Sequence, residues 1–494
     1  MSMPSGAHAL ILLAALTAVP GLGAAPAKAA VASDFGPEVG AAQPANGFVG
    51  KLGIAPLHAS EGAHVTVNGD ALPADQEFDL VWRTVKGSWK AANGEYHGRD
   101  YAPVGYRIAH VKTDAAGKFA ASFVAPDDFG FQHDIQLQQG AKLLTQAGFT
   151  LDMAMKVTPE NGPPGTPITF DIKGIGWREL ENSWMLVYDN NFTGWISSVS
   201  THGSAHFTIP ATGPAGTHVL QLIHGEFTFP YMNPQQNPVP DRPRFKANFT
   251  VTRGEAMLPP PVGAQTQKSV RSLPKPGALI ASPAFASVGQ PLTVSGEGFA
   301  PGKLYQLQWS TVTGNRVVAG GWEERAHPVA EAKADASGKL AFSLKVPDDL
   351  GGAHAIFVED GGKKTGGRFW LEASALPLAT QEVHAGDTLT VHLKGVGWTE
   401  TANIYHVVYD DNYVGYACGF NSQGDVTVYM PASGAPGWHY IDLYPGIYKG
   451  QETRPNNFRI PQLTFAEDHP GEDLPAFHFA IHVVGDESEQ HAEK

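Results

Sequence analysis

Leu292-Thr293-Val294-Ser295-Gly296-Glu297-Gly298-Phe299-Ala300-Pro301-Gly302 is the stretch that decides how this chain is read. Apolar and polar residues alternate through Ser295, the pattern of a strand with one buried and one solvated face. Gly-x-Gly-aromatic followed by Pro-Gly then ends the strand in a turn. Ile168-Thr169-Phe170-Asp171-Ile172-Lys173-Gly174-Ile175-Gly176-Trp177 and Leu389-Thr390-Val391-His392-Leu393-Lys394-Gly395-Val396-Gly397-Trp398 repeat it, and His64 to Leu72 is a worn copy.

Two more landmarks follow each copy. A turn glycine leads into an alternating strand and then proline: Gly117 to Pro126, Gly203 to Pro210, Gly338 to Pro347 and Gly424 to Pro431. A glycine shortly before histidine then opens another apolar alternation, at His133, His218, His354 and His439. Three landmarks in one order, four times, predict four modules of roughly a hundred residues each. The second half also repeats the first at an offset of 221, the distance from Tyr188 to Tyr409. The same offset carries Pro126-Asp127-Asp128 onto Pro347-Asp348-Asp349.

The modules resemble bacterial extracellular immunoglobulin-like domains of the IPT/TIG and neocarzinostatin-like kind, through the Val-x-Gly-x-Gly-Phe-x-Pro-Gly signature at Val294 to Gly302. The resemblance covers all four modules and is best in the third. It implies an all-β chain of four tandem immunoglobulin-like β-sandwiches arranged as two repeated pairs. Such modules serve as spacers, adhesin stalks, accessory domains and small-ligand binders, so the fold alone names no function. The modules fall at 47–150, 151–254, 276–372 and 373–486, with a Pro-rich linker at 255–275 and a polar tail at 487–494.

The chain has 494 residues, too many for one core, and its 56 Gly and 38 Pro suit short strands joined by many turns. An apolar run from Ala9 to Val19, with Ala27-Lys28-Ala29 as a cleavage site, predicts a signal peptide at 1–29 and export to a periplasm or the outside. No run reaches the roughly 18 apolar residues of a membrane span. A net charge of −14 argues against nucleic acid or an anionic membrane as partner. Cys418 is the sole cysteine, which excludes an intrachain disulfide and favours burial as a small apolar residue.

The candidate site lies in the second and fourth modules. Tyr188, Asp189, Asn191, Phe192 and Trp195 return as Tyr409, Asp410, Asn412, Tyr413 and Tyr416. Asp and Asn at a loop tip ringed by aromatics suit glycan binding, because rings stack on sugar C–H faces while the polar groups pair with hydroxyls. The competing reading is a hairpin turn, whose geometry Asp and Asn accept. Calcium is a possible cofactor for the same oxygens, although three side chains per loop do not fill its shell. His224, Phe227, Phe229 and Tyr231, and later Tyr444, Tyr448, Arg454 and Pro455, mark long excursions between strands, of the kind that carry function.

Two sets have the residue types of a nucleophilic site: Ser197, His218 and Asp189, and Cys418, His439 and Asp410. Neither nucleophile lies in an elbow motif. The four matched histidines are placed where a ring nitrogen holds turn backbone, and Asp127-Asp128 and Asp348-Asp349 read as turn acids. The expectation is an exported, non-catalytic binding or surface protein, whose partner is a polysaccharide or another surface protein. The alternatives are a purely structural or assembly component, and a hydrolase or small-ligand carrier.

Overall fold

A computed structural model of the chain describes residues 35–44, 47–92, 94–226, 229–236, 242–265, 277–314, 322–448 and 459–485. The expected signal peptide at 1–29 and polar tail at 487–494 lie outside these residues. The described chain is all-β, with eight sheets and only three short 3-10 turns. The sheets pack in pairs around four hydrophobic cores, each pair a β-sandwich.

Each sandwich sets a three-stranded sheet against a larger one. In the first, Lys51–Ala55, His64–Asp70 and Phe119–Val124 face a seven-stranded sheet. Alternate residues meet in one core, with Val65, Val67 and Phe123 opposite Leu80, Trp82 and Ile135. The second joins Ala154–Thr158, Pro167–Lys173 and Ala205–Pro210 to a six-stranded sheet that includes Trp184–Tyr188. The third and fourth repeat the plan with five-stranded sheets, around Val294, Trp309 and Phe369 and around Val391, Tyr405 and Phe479. The quoted stretch forms Pro291–Gly296, whose Leu292 and Val294 point inward.

Edge strands are managed differently in the two halves. In the first sandwich, Glu38–Val39 adds to the edge of Glu95–Lys112, and Arg107 N donates to Pro37 O at 3.0 Å. Arg83 pairs with Gly105 and Ser310 with Ala326, so Pro328 occupies the place of Arg107 in the third sandwich. Proline has no N–H to offer, and Glu323, Glu324 and Arg325 add charge along the same edge, so that edge resists pairing.

Sandwiches within a half meet at a repeated joint. Gly130 N donates to Ile175 O at 3.1 Å, and Gly351 N to Val396 O at 3.1 Å. A Cβ on Gly130 would overlap the Gly174 carbonyl oxygen, and one on Gly351 the Gly395 carbonyl oxygen. The glycine pairs of the second and fourth modules therefore lie backbone to backbone against the preceding sandwich. Asp127 pairs with Lys173 across the first joint, and Asp348 with Lys394 at 2.6 Å across the second.

The described part of the 255–275 linker is docked against its neighbours. Met257 N donates to Pro164 O at 2.8 Å, and Tyr440 Oη donates to Met257 O at 3.2 Å. Val262 enters the fourth core, and Gln265 exchanges two 2.8 Å hydrogen bonds with the His478 backbone. Val262 finds burial there, which a free-standing spacer would forgo, while Met257 and Leu258 stay exposed. The described residues all fall within one compact unit.

Candidate functional site

The Tyr-Asp-Asn and Tyr-Asp-Asp segments form two-residue hairpin turns. Tyr188 pairs with Asn191 and Tyr409 with Asn412, leaving Asp189-Asn190 and Asp410-Asp411 as the loops. All four loop residues have positive φ, between 46° and 66°, the type I′ geometry that suits strand twist. A carboxylate holds each turn closed. Asp189 accepts from Val219 N at 2.8 Å and lies 2.5 Å from His218 Nδ1. Asp410 does the same with Tyr440 N at 2.9 Å and His439 Nδ1 at 2.5 Å.

The four matched histidines share one role. In each, Nε2 faces the carbonyl four residues earlier: Phe129, Pro214, Leu350 and Ala435. His133 and His354 use the other nitrogen on a second carbonyl and stack on Trp82 and Trp309 at 4.2 and 4.4 Å. The same tryptophans donate Nε1 to Asp128 at 2.7 Å and to Asp349 at 2.9 Å. The second acid of each Pro-Asp-Asp motif is thus a buried indole acceptor rather than a turn acid.

The aromatic residues around the turns are mostly enclosed. Tyr188 and Tyr409 are buried, with hydroxyls donated to Thr212 O at 2.8 Å and Ser433 O at 2.6 Å. Trp195 is 2% exposed, edge-on to Trp89 of the first sandwich. Phe192 and Tyr413 are half-buried against each other at 6.2 Å. Tyr416 is open, at 46% exposure, with the Arg459 guanidinium beside it and Nη1 donating to its hydroxyl at 3.3 Å. Asp189, Asn191 and Asn412 reach solvent, and Asp410 does so in part.

These hairpins are brought together by an interface between the second and fourth sandwiches. Every residue of the inner strands Trp184–Tyr188 and Ile404–Tyr409 is buried, because both faces of the sheet are covered along these strands. Val408, Tyr444 and Leu463 of the fourth sandwich join the core of the second. Asp411, 1% exposed, crosses the joint: its carboxylate accepts from Thr212 Oγ1 at 2.7 Å, and its carbonyl from Thr193 Oγ1 at 2.7 Å. Burial holds the Asp411 carboxyl well above the usual carboxylate range, reinforced by Asp442.

The excursion after Tyr444 completes the joint. Residues 461–463 run beside Asn191–Ile196, with Trp195 N donating to Pro461 O at 2.8 Å and Leu463 N to Trp195 O at 3.0 Å. Asp468 is 1% exposed and accepts from Trp89 Nε1 at 2.8 Å, Val199 N at 2.7 Å, and Ser200 N and Oγ at 2.8 and 2.7 Å. It thereby ties the first two sandwiches to the fourth. Its sequence neighbourhood gave no sign of this beyond the length of the excursion. Arg454 and Pro455, like Phe227, lie outside the described residues.

The two nucleophile sets are only partly assembled. Asp189 meets His218, but Ser197 Oγ is engaged with Thr464 Oγ1 at 2.9 Å, Gln462 Nε2 at 2.8 Å and Asp468 O at 3.2 Å. His439 spends both ring nitrogens on Asp410 and the Ala435 carbonyl, while Cys418 is half-buried at the end of Asn412–Cys418. An open groove of about 560 Å³ on the first sandwich is lined by Glu77, Asp79 and His110, away from both sets. Among the described residues, no group of three or more His, Cys, Asp or Glu side chains is placed to hold a metal ion, and no helix is long and apolar enough to cross a membrane.

No protein family matches the chain, and no curated protein resembles it. Among solved structures, Salmonella alpha-2-macroglobulin reacted with methylamine matches at 11% identity and TM-score 0.18, over 88% of this chain and 31% of that one. The ICAM-5 D1–D4 ectodomain fragment matches at 12% identity and TM-score 0.17, over 88% of this chain and all of the fragment. The BSP domain of a biofilm associated protein matches at 10% identity and TM-score 0.14, over 84% and 96%. Likenesses this weak carry nothing over to this chain.

Proposed function

We propose that this chain is an exported, non-catalytic structural component of a cell surface, in which two repeated halves are clamped into one block. The observation that supports it most is the burial in the joint of Asp411, at the tip of the fourth sandwich's hairpin, bonded to Thr193 and Thr212. A row of independent binding modules would leave that residue in solvent. Burying both faces of one inner strand in each of the two sheets instead makes the relative placement of the sandwiches fixed, the property a spacer or assembly element needs. The block reading is tested by small-angle scattering with calorimetry at neutral pH. A compact envelope with one dominant unfolding transition supports it; an extended string with separate transitions overturns it.

Glycan binding is the second reading, favoured by one observation: Tyr416 remains open beside Arg459, whose guanidinium also lies 4.4 Å from the Tyr448 ring. An exposed ring flanked by a cation suits a sugar face and its hydroxyls. A polysaccharide and oligosaccharide array, read with and without chelator, tests it. Retention lost in Tyr416→Ala supports lectin-like binding at this position, and chelator sensitivity would bring in calcium. A blank array leaves the block to act through protein partners.

A further inference from the structure

Four carboxylates converge where the second and fourth sandwiches meet. Asp411 sits deepest, with Asp442, Asp410 and Asp189 close enough to act on it electrostatically. Three of the four each have a histidine: Asp189 with His218 at 2.5 Å, Asp410 with His439 at 2.5 Å, and Asp442 with His478 at 2.6 Å. Asp411 has none. One of its oxygens accepts from Thr212 and the other, Oδ1, is buried without a hydrogen-bond partner. The Tyr444 hydroxyl beside it is likewise buried and unpaired. A permanent core rarely tolerates such atoms, so they call for an explanation.

We propose that this joint is a proton-operated latch: closed while Asp411 carries its proton, and released as rising pH ionises Asp411 among three other carboxylates. The inference rests on the clamped-block reading and adds regulation to it. In the closed form Asp411 is neutral and its burial costs little. Ionised, it would be a buried charge with one hydroxyl donor and three acidic neighbours. Opening returns it to water.

The signs agree among the groups facing it. The Asp411 carboxyl is raised in the closed form, so closure is favoured below the ordinary carboxylate range and lost as pH climbs through the raised value. For His439, burial pulls the pKa down, but its hydrogen bonds to Asp410 and Ala435 outweigh that and raise it, so its contribution also fades with rising pH. Tyr188 and Tyr444 stay neutral, since burial pushes both up. His406, on the strand before the turn, opposes them: burial pushes it down to about 3, so the joint is weakened in acid as its ring takes up a proton. The latch is therefore tightest in mildly acidic solution.

The test is small-angle scattering of the chain and of its Asp411→Asn variant, from about pH 6 to about pH 9, the span over which histidines and raised carboxyls titrate. The wild type should be compact at the acidic end and gain radius of gyration at the alkaline end, while the variant stays compact throughout. A wild type compact at every pH overturns the latch alone, and equal expansion in the variant does the same by removing Asp411 from the cause. A wild type already extended at the acidic end overturns the clamped block itself. Should Asp411→Asn fail to fold, Asp442→Asn serves instead: it lowers the repulsion on Asp411, so its expansion should be smaller than that of the wild type. Expansion equal to the wild type's would again overturn the proposal.

Discussion

The Thr193 hydroxyl of the second sandwich donates to the backbone carbonyl of Asp411 in the fourth, at 2.7 Å and across 218 residues of sequence. Both groups are buried, so the bond forms only when the two halves have met. It converts a chance proximity of two hairpins into a register between them.

Replacing Thr193 with Val should therefore cost about 1–3 kcal/mol, because a buried carbonyl loses its donor while side-chain volume is kept. Urea unfolding measures it. Thr169→Val is the control: its hydroxyl meets Thr208 at 3.2 Å on an exposed face, and its loss should stay within about 0.5 kcal/mol. Equal costs at the two sites would mean that the joint carries no special share of stability.

The first sandwich holds a buried acid and a buried base whose pH effects oppose one another. Burial pushes Asp128 up to about 7 and His133 down to about 4. A raised carboxyl makes stability fall as pH rises between its unfolded and folded values; a lowered histidine makes it rise as pH climbs toward its unfolded value. Asp128→Asn keeps an acceptor for Trp82 Nε1 but removes the first effect. The stability of the variant relative to wild type should climb between about pH 4 and about pH 7 and then level off. Thermal melts across that range check it, and a flat difference would show that Asp128 ionises as freely in the folded chain as in the unfolded one.

Strand alternation made the sandwiches legible. Ile168, Phe170 and Ile172 read as one buried face and are one. The Asp-Asn and Asp-Asp turns were legible too, since those residues tolerate positive φ. What alternation hides is a second buried face. Trp184-Met185-Leu186-Val187-Tyr188 and the run from Ile404 to Tyr409 are nearly continuous in apolar character, a pattern expected of strands covered on both sides. That was the available sign that Met185, Trp195 and Val408 sit within an interface, while Tyr188 and Tyr409 fill the cores of their own sandwiches. Asp468 offered none, because its donors lie between 268 and 379 residues away and no local pattern encodes them.

The glycine joints should be intolerant of any side chain. Gly130→Ala or Gly351→Ala places a methyl on the carbonyl of Gly174 or Gly395, and backbone cannot rotate away as a side chain can. Each should cost about 1–3 kcal/mol and loosen its own pair of sandwiches. Limited proteolysis should then cut near 126–131 in the first variant and near 347–352 in the second. Gly415→Ala, where a Cβ meets nothing within 4 Å, should leave the digestion pattern unchanged.

Asp410→Asn isolates what the Asp–His pair does at a turn. Asparagine tolerates the positive φ and keeps an acceptor for Tyr440 N, so the hairpin should persist. The ring of His439 loses its carboxylate, and its pKa should fall below the raised value it now has. Because that raised value stabilises the folded chain only while the ring is protonated, the variant should be weaker in mild acid and converge on wild type above neutrality. A histidine-resolved NMR titration, paired with unfolding at two pH values, reads both effects. An unchanged His439 titration would assign the shift to the Ala435 carbonyl and leave Asp410 with the turn alone.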